Sequence, residues 1–251
     1  MEFGLLGRKL SHSYSPKIHT FFGNYKYELI EKEPENLAEF FENKDFLGIN
    51  VTIPYKKDVI KYCDELSPIA SKIGAVNTIV NKNGKLYAHN TDYFGFSYMI
   101  KKAEIDVKNK KAIVLGSGGA SVTCCAVLKD LGACEVVVIS RKGENNYNNI
   151  GKHFDAEIIV NATPVGMYPN VNESIIDLAD FKNCEGVLDL IYNPDKTLLL
   201  KQAERLNIKF SNGLSMLIAQ AKESAEWFLD KKIDNEIIEQ AEKELKLWKF
   251  L

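Results

Sequence analysis

The chain has 251 residues, enough for one large or two modest domains with a substantial core. Hydrophobic residues make up 45% and charged residues 26%, and 32 cations against 34 acids leave a net charge of −2, which excludes a global pull toward nucleic acid or anionic membrane. The five cysteines (Cys63, Cys124, Cys125, Cys134, Cys184) and four histidines (His12, His19, His89, His153) have no metal-ligand spacing, which argues against a disulfide framework or a zinc site.

In chain order, residues 3–6 are a short strand candidate. Ser15-Pro16 then opens a helix, with serine as cap and proline in the first turn; Ile18, Phe21 and Phe22 supply its apolar face and Gly23 ends it. Residues 34–43 predict a second helix, 47–53 a strand and 54–66 a third helix. Asn83-Gly84 is a hairpin signal between strands at 75–80 and 85–89, and a helix follows Asp92 toward Ala103. The apolar run 112–115 meets Gly116-Ser117-Gly118-Gly119-Ala120, followed by a helix at 122–131 and a β-branched strand at 136–139. Residues 143–151 read as a loop, 158–160 and 187–191 as strands, and 198–206, 214–228 and 233–247 as helices. This alternation predicts parallel α/β layers, with a domain boundary in the polar stretch 104–110. No apolar run approaches a bilayer span and the N-terminus lacks a signal peptide's apolar core, so a reduced, cytoplasmic protein is expected.

The strand–loop–helix at 112–131 has dinucleotide geometry. One glycine permits the tight turn, the next lets a pyrophosphate approach the backbone, and the helix N-terminus offers free amides. Ser121 stands where the fingerprint has its last glycine. After the next strand, Ser140-Arg141-Lys142 presents two cations and no carboxylate, which favours a ribose 2′-phosphate and hence NADP.

Residues 50–57, Asn-Val-Thr-Ile-Pro-Tyr-Lys-Lys, bring a lysine to the end of a strand, and Asn90-Thr91-Asp92 brings a carboxylate to the start of a helix. Lys56 and Asp92 could form one proton-transfer pair, and beside a nucleotide loop they suggest carbonyl reduction. Each residue also has a plain reading. Lys56 could be an exposed lysine, Asp92 a helix cap, Asn77 a turn amide, and Ser13 and Ser15 a turn residue and a cap. Of the two adjacent lysines, Lys57 is the better candidate for solvent.

The combination resembles the shikimate dehydrogenase family over nearly the whole chain. Ser13-x-Ser15-Pro16 is similar to the family's substrate-carboxylate motif, residues 50–56 to its Asn-Val-Thr-x-Pro-x-Lys signature, and Gly74-Ala75-Val76-Asn77-Thr78 and Asn90-Thr91-Asp92 to two more. Gly116–Ala120 is similar to its phosphate loop, Asn161-Ala162-Thr163 to a cofactor-side motif, and Tyr192-Asn193-Pro194 and Gly213–Ala221 to later blocks. The resemblance implies an α/β protein of two domains. Residues 1–103 plus 214–251 would be the substrate domain, completed by the C-terminal helices, and 104–213 a Rossmann-type NADP domain. It implies that Ser13 and Ser15 bind a carboxylate and that Thr52, Asn77 and Gln220, with Tyr192 nearby, surround the ring hydroxyls. Lys56 and Asp92 would be catalytic, and Gly116, Ser117, Gly118, Gly119, Ala120, Ser140, Arg141, Lys142, Thr163, Gly213 and Met216 would hold NADP. The implied reaction is NADPH-dependent reduction of 3-dehydroshikimate to shikimate in aromatic amino acid biosynthesis, by a monomer or homodimer. A quinate/shikimate dehydrogenase using NAD or both cofactors, and a non-catalytic nucleotide sensor, are the alternatives.

Three features depart from the family pattern. Ser140-Arg141-Lys142 replaces Asn-Arg-Thr, the segment 143–157 is short enough to lack a helix, and the link through Asn24-Tyr25-Lys26-Tyr27 to the next strand is shortened.

Overall fold

The computed structural model describes residues 2–10 and 13–248; His12 lies outside them. Its contacts divide the chain into two compact units, Met1–Gly95 with Leu217–Leu251, and Phe96–Met216.

The first unit is built on a six-stranded sheet. Its strands are β1 (Phe3–Gly7), β2 (Tyr27–Glu31), β3 (Gly48–Val51), β4 (Glu65–Leu66), β5 (Thr78–Lys82) and β6 (Lys85–His89), in the order β2-β1-β3-β5-β6-β4. Short helices α1 (Ser15–His19), α2 (Leu37–Asn43) and α3 (Pro68–Ile73) connect them. β1 and β3 are buried along their whole length, so their sequences read as continuous apolar runs. Leu6, Ile49, Val59, Val76, Ile79 and Leu86 form the core beneath the sheet.

The sheet is mixed, with the expected hairpin in its antiparallel part. β1 pairs in parallel with β2 and β3, but the Asn83-Gly84 hairpin turns the chain back, so β5 runs antiparallel to both β3 and β6. The expected helix at 54–66 is absent. Ile53-Pro54 is cis, residues 53–57 form turns, and only a 3-10 turn at Asp58–Tyr62 follows. The Lys56 carbonyl accepts from the Val76 amide at 2.7 Å and buried Tyr55 donates its hydroxyl to the Lys32 carbonyl at 2.6 Å. These tertiary partners take the place of helical ones.

Ser15 does not cap α1. Tyr14 holds the cap position without a side-chain capping bond to the helix, and the helix ends at His19, leaving Phe21 and Phe22 in the following turn. The Ser-Pro start operates instead at Ser67-Pro68, where the Ser67 hydroxyl accepts from the Ala70 amide at the head of α3.

The second unit has a five-stranded parallel sheet. β7 (Lys111–Leu115), β8 (Glu135–Ile139), β9 (Ile158–Asn161), β10 (Gly186–Asp189) and β11 (Lys209–Ser211) lie in the order β11-β10-β9-β7-β8. α5 (Gly119–Asp130) and α6 (Leu198–Arg205) are its crossover helices. Only a 3-10 turn, Ile150–His153, stands between β8 and β9, so this crossover carries no α-helix. Ile113, Leu115, Ile139, Ile159, Val187 and Leu200 fill the core. Strand order reverses between β7 and β9, and in such sheets ligands bind at the carboxyl ends of the strands flanking that point. The units part within α4 (Asp92–Lys102), after Gly95, and within α7 (Leu214–Leu229), after Met216. α8 (Glu236–Trp248) closes the described chain.

Candidate active site

In the first unit, the turn after β3 presents Lys56 and the start of α4 presents Asp92. Lys56 Nζ lies 2.5 Å from Asp92 Oδ2, with the two side chains 17% and 10% exposed. Lys57, next in sequence, is exposed. Asp92 is not the cap of α4: Asn90 Oδ1 accepts the Tyr93 amide at 3.3 Å, while Asn90 Nδ2 donates to the Ala75 carbonyl. Capping by Asn90 leaves the Asp92 carboxylate for the lysine.

A buried amide–hydroxyl network lies in the same unit. Asn77 Oδ1 accepts from the Thr91 amide at 2.7 Å, and Asn77 Nδ2 donates to Thr91 Oγ1 at 3.0 Å and to Gln220 Oε1 at 3.4 Å. Ser224, one turn beyond Gln220 on α7, donates back to the Gln220 carbonyl and contacts Thr78 and Thr91 through its hydroxyl. Asn50 completes the set. Its Nδ2 donates to Ser224 Oγ at 2.8 Å and to the Asn77 carbonyl at 3.2 Å, and its Oδ1 accepts from Tyr27 at 2.7 Å. Asn77 and Gln220, predicted as site residues, are thus brought together. Asn50, Thr91 and Ser224 were not among the expected site residues, although Asn50 and Thr91 sit inside the motifs that flagged the site.

Ser13 and Ser15 lie beside each other, half-buried, with the Ser15 amide donating to Ser13 Oγ at 3.2 Å. Behind them, His19 is 2% exposed and stacked on Tyr27 with ring centroids 3.9 Å apart. Burial pushes the His19 ring down to about 3, against a raising hydrogen bond from Asn50, so the ring is neutral at ordinary pH. Its Nδ1 meets the Tyr25 hydroxyl at 2.7 Å. Burial likewise holds the Tyr27 phenol well above its usual range, opposed by a hydrogen bond with Ser15. Tyr27 therefore joins the serine pair to Asn50 and the Asn77–Gln220 network. Thr52 is half-buried at the end of β3, where its amide donates to the Leu6 carbonyl.

In the second unit, Gly116–Ala120 follows β7 and Ala162-Thr163 follows β9, at the reversal of strand order. Gly116 has φ +104, and a Cβ there would press on Thr163 Cγ2 at 2.9 Å and the Ala162 carbonyl at 3.0 Å. A side chain would be both strained and crowded out. Added Cβ atoms at Gly118 and Gly119 would meet only open space, at the head of α5, which has no side-chain cap. A bare backbone cradle with a helix N-terminus behind it fits the pyrophosphate of a dinucleotide. Ser121 is buried and packs as a small residue where the fingerprint has glycine.

Thr163 is fixed by Asn161, whose Oδ1 accepts from the Thr163 amide at 3.0 Å and hydroxyl at 2.7 Å. Ser140 follows β8 and is half-buried, while Arg141 and Lys142 are exposed. Their loop is tied to itself by asparagines. Asn146 Nδ2 donates to the Gly143 carbonyl, Asn149 Nδ2 to the Glu144 carbonyl and the Ser140 amide to the Asn145 carbonyl. Tyr192 is half-buried after β10, and Gly213 and Met216 lie buried around the start of α7. Among the described residues no group of three or more His, Cys, Asp or Glu side chains could hold a metal, and no helix is long and apolar enough to cross a membrane.

Residues 5–79 match a family model described as the shikimate dehydrogenase substrate binding domain. A shikimate dehydrogenase (NADP(+)) of Clostridium beijerinckii is 41% identical over 258 residues, spanning 94% of this chain and 95% of that protein. Among solved structures, shikimate dehydrogenase 1 from Peptoclostridium difficile is 40% identical with a TM-score of 0.89, and 98% of each chain is covered. A shikimate 5-dehydrogenase from Thermus thermophilus, solved with NADP(H) and shikimate, is 30% identical with a TM-score of 0.87, covering 97% of this chain and 99% of that one.

Proposed function

The chain belongs to the shikimate dehydrogenase family, and from that premise we propose that it catalyses the reversible, NADP(H)-dependent reduction of 3-dehydroshikimate to shikimate. The observation that carries the reading within this chain is the half-buried Lys56–Asp92 pair at 2.5 Å. A non-catalytic sensor has no use for such a pair.

NADPH, when bound, supplies the hydride that reduces the ketone carbon. The protein manages the oxygen. Negative charge grows there as the carbon is reduced, and the Lys56 ammonium, a compact cation with mobile donors, stabilises it and gives up a proton to form the hydroxyl. Asp92 holds the ammonium in line and accepts from the neighbouring hydroxyl. In the oxidative direction the same lysine takes the proton back. Asn77 and Gln220 present amides to the ring hydroxyls with Thr52, and Ser13 and Ser15 take the substrate carboxylate through their hydroxyls.

In this reading the unit Met1–Gly95 with Leu217–Leu251 handles the acid, and Phe96–Met216 handles the nucleotide. Gly116–Ala120 and Thr163 cradle the phosphates, Arg141 and Lys142 meet the 2′-phosphate with Ser140 beside them, Gly213 and Met216 serve the nicotinamide side, and Tyr192 serves the substrate. The reaction belongs to aromatic amino acid biosynthesis in the cytoplasm, carried out by a monomer or homodimer.

Initial rates measured by nicotinamide absorbance, with shikimate or quinate against NADP+ or NAD+, test the reading. Shikimate with NADP+ is expected to give the highest kcat/KM. A preference for quinate with NAD+ would transfer the chain to the quinate branch, and cofactor binding without turnover would make it a sensor.

A further inference from the structure

Asp189 ends β10 and is completely buried, with no exposed surface. The electrostatic influences on it are burial, which dominates and pushes its carboxyl up to about 6, and hydrogen bonds from Thr197, the Ile191 amide and Asn161, which pull it down. No ion pair to it occurs among the described residues. A buried carboxylate without a cation is costly, so the use made of its bonds matters.

Those bonds converge on segments expected to line the nucleotide and on the strand end that leads to Tyr192. Asp189 Oδ1 accepts from Asn161 Nδ2 at 3.0 Å and from the Ile191 amide at 3.0 Å, while Oδ2 accepts from the Thr197 hydroxyl at 2.7 Å. Asn161 is thereby locked with its Oδ1 facing Thr163, and the Ala162–Thr163 segment is the wall against which Gly116 turns. The bond to Ile191 fixes the backbone entering Tyr192, and the Ile191 carbonyl in turn accepts the Gly213 amide at 3.0 Å. Thr197 caps α6 by accepting from the Leu200 amide. Thr163, Tyr192 and Gly213, far apart in sequence, are all referred to one carboxylate.

We propose that Asp189 is a positioning residue for NADP(H), holding the Asn161 amide and the 190–192 backbone so that the walls around the Gly116 turn take their nucleotide-binding form. The carboxylate chemistry is specific to that task. Its two oxygens accept all three bonds, so a side chain without an acceptor leaves the Asn161 amide, the Ile191 amide and the Thr197 hydroxyl unsatisfied and releases Asn161. This inference rests on the reading of the second unit as the NADP(H) unit.

The test is Asp189→Ala, assayed for NADP+ affinity by titration and for steady-state kinetics in the full chain. The KM and Kd for NADP+ are expected to rise about 10- to 100-fold, with kcat at saturating NADP+ and the KM for shikimate both within about 2-fold. Thr197→Val, which removes the bond to Asp189 Oδ2 and the α6 cap but leaves those from Asn161 and Ile191, is expected to lower Tm while leaving the KM for NADP+ within about 2-fold. An equal rise in both variants would mean that Asp189 acts through general packing, and would overturn the proposal. If Asp189→Ala does not fold, Asn161→Ser severs the same link while keeping an acceptor for Thr163, and carries the same expectation. Unchanged NADP+ affinity in whichever of these folds overturns the proposal alone. A wild-type chain that binds neither NADP+ nor NAD+ overturns the nucleotide assignment and this inference with it.

Discussion

Lys57 is exposed, whereas Lys56 is turned inward against Asp92, and the difference traces to the backbone. The Lys56 carbonyl is engaged by Val76, so the turn is anchored at the residue whose side chain must be aimed. Lys56→Ala is expected to lower kcat by about 10²–10⁴-fold with little change in NADPH affinity, and wild-type-like turnover would remove Lys56 from the chemistry. Asp92→Asn should also lose rate, whereas a residue that merely capped α4 would not. His19 governs a different property. Its folded value is depressed from 6.5 to about 3, so between those values the unfolded chain binds the proton that the folded chain refuses. The stability this ring contributes is therefore complete above about 6.5 and is lost as pH falls toward 3. His19→Gln is expected to flatten the fall of Tm across that window, measured by thermal scans at stepped pH. An unchanged slope would show that other groups control acid unfolding. Both readings depend on side-chain identity, and only the first was legible beforehand. The motif around Lys56 carries its chemistry in its letters, while His19 gains its meaning from burial by Tyr27, on the next strand, and Phe228, far from it in sequence.

At the level of elements, the strands that matter were readable because they are buried on both faces and so are continuously apolar, as in β7, β9 and β10. What was not readable were elements set by tertiary partners. The 54–66 segment has a helix-compatible composition, yet Tyr55, Lys56 and Val59 are recruited by Lys32, Val76 and the core. β4 and β11, two and three residues long, are too short for any period to register. Gly213 shows the reverse case, a single letter with a large structural requirement. A Cβ there would overlap the Leu190 carbonyl and carbon, both backbone atoms that cannot swing aside. Gly213→Ala is expected to destabilise by roughly 3 kcal/mol and to raise the KM for NADP+, with denaturant unfolding and kinetics as the measurements. A neutral result would mean that the entry to α7 is softer than its close contacts imply.

Across the whole molecule, the chain is not two beads in a row. The first unit needs residues from both ends of the sequence. Gln220 and Ser224 complete its polar network, and Phe228 stacks on Phe3 at 4.8 Å. The nearly buried Glu226 joins Lys222 at 2.6 Å, Lys232 at 3.0 Å and the Ile233 amide at 2.7 Å, fastening α7 to the segment leading into α8. A chain ending at Met216 keeps every strand of both sheets, yet hydrogen exchange is expected to find protection lost in β1, β3 and β5 and retained in β7, β9 and β10. Equal protection in both sheets would mean that the C-terminal helices are dispensable to the first. That dependence was not visible as periodicity. It was legible only through the family resemblance of Gly213–Ala221, because long-range pairing leaves no local signature.

The loop that carries Arg141 and Lys142 has one more consequence. Asn146 and Asn149 bond to neighbouring backbone within the loop, Tyr147 and Ile150 supply its packing on the core, and Arg141 and Lys142 are exposed. Residues whose side chains bear no packing duty can be exchanged at little cost in folding free energy. On the proposed reading, the choice between the two nicotinamide cofactors would sit on these exchangeable side chains, open to rewriting by selection or a protein engineer without touching Lys56 or Asp92.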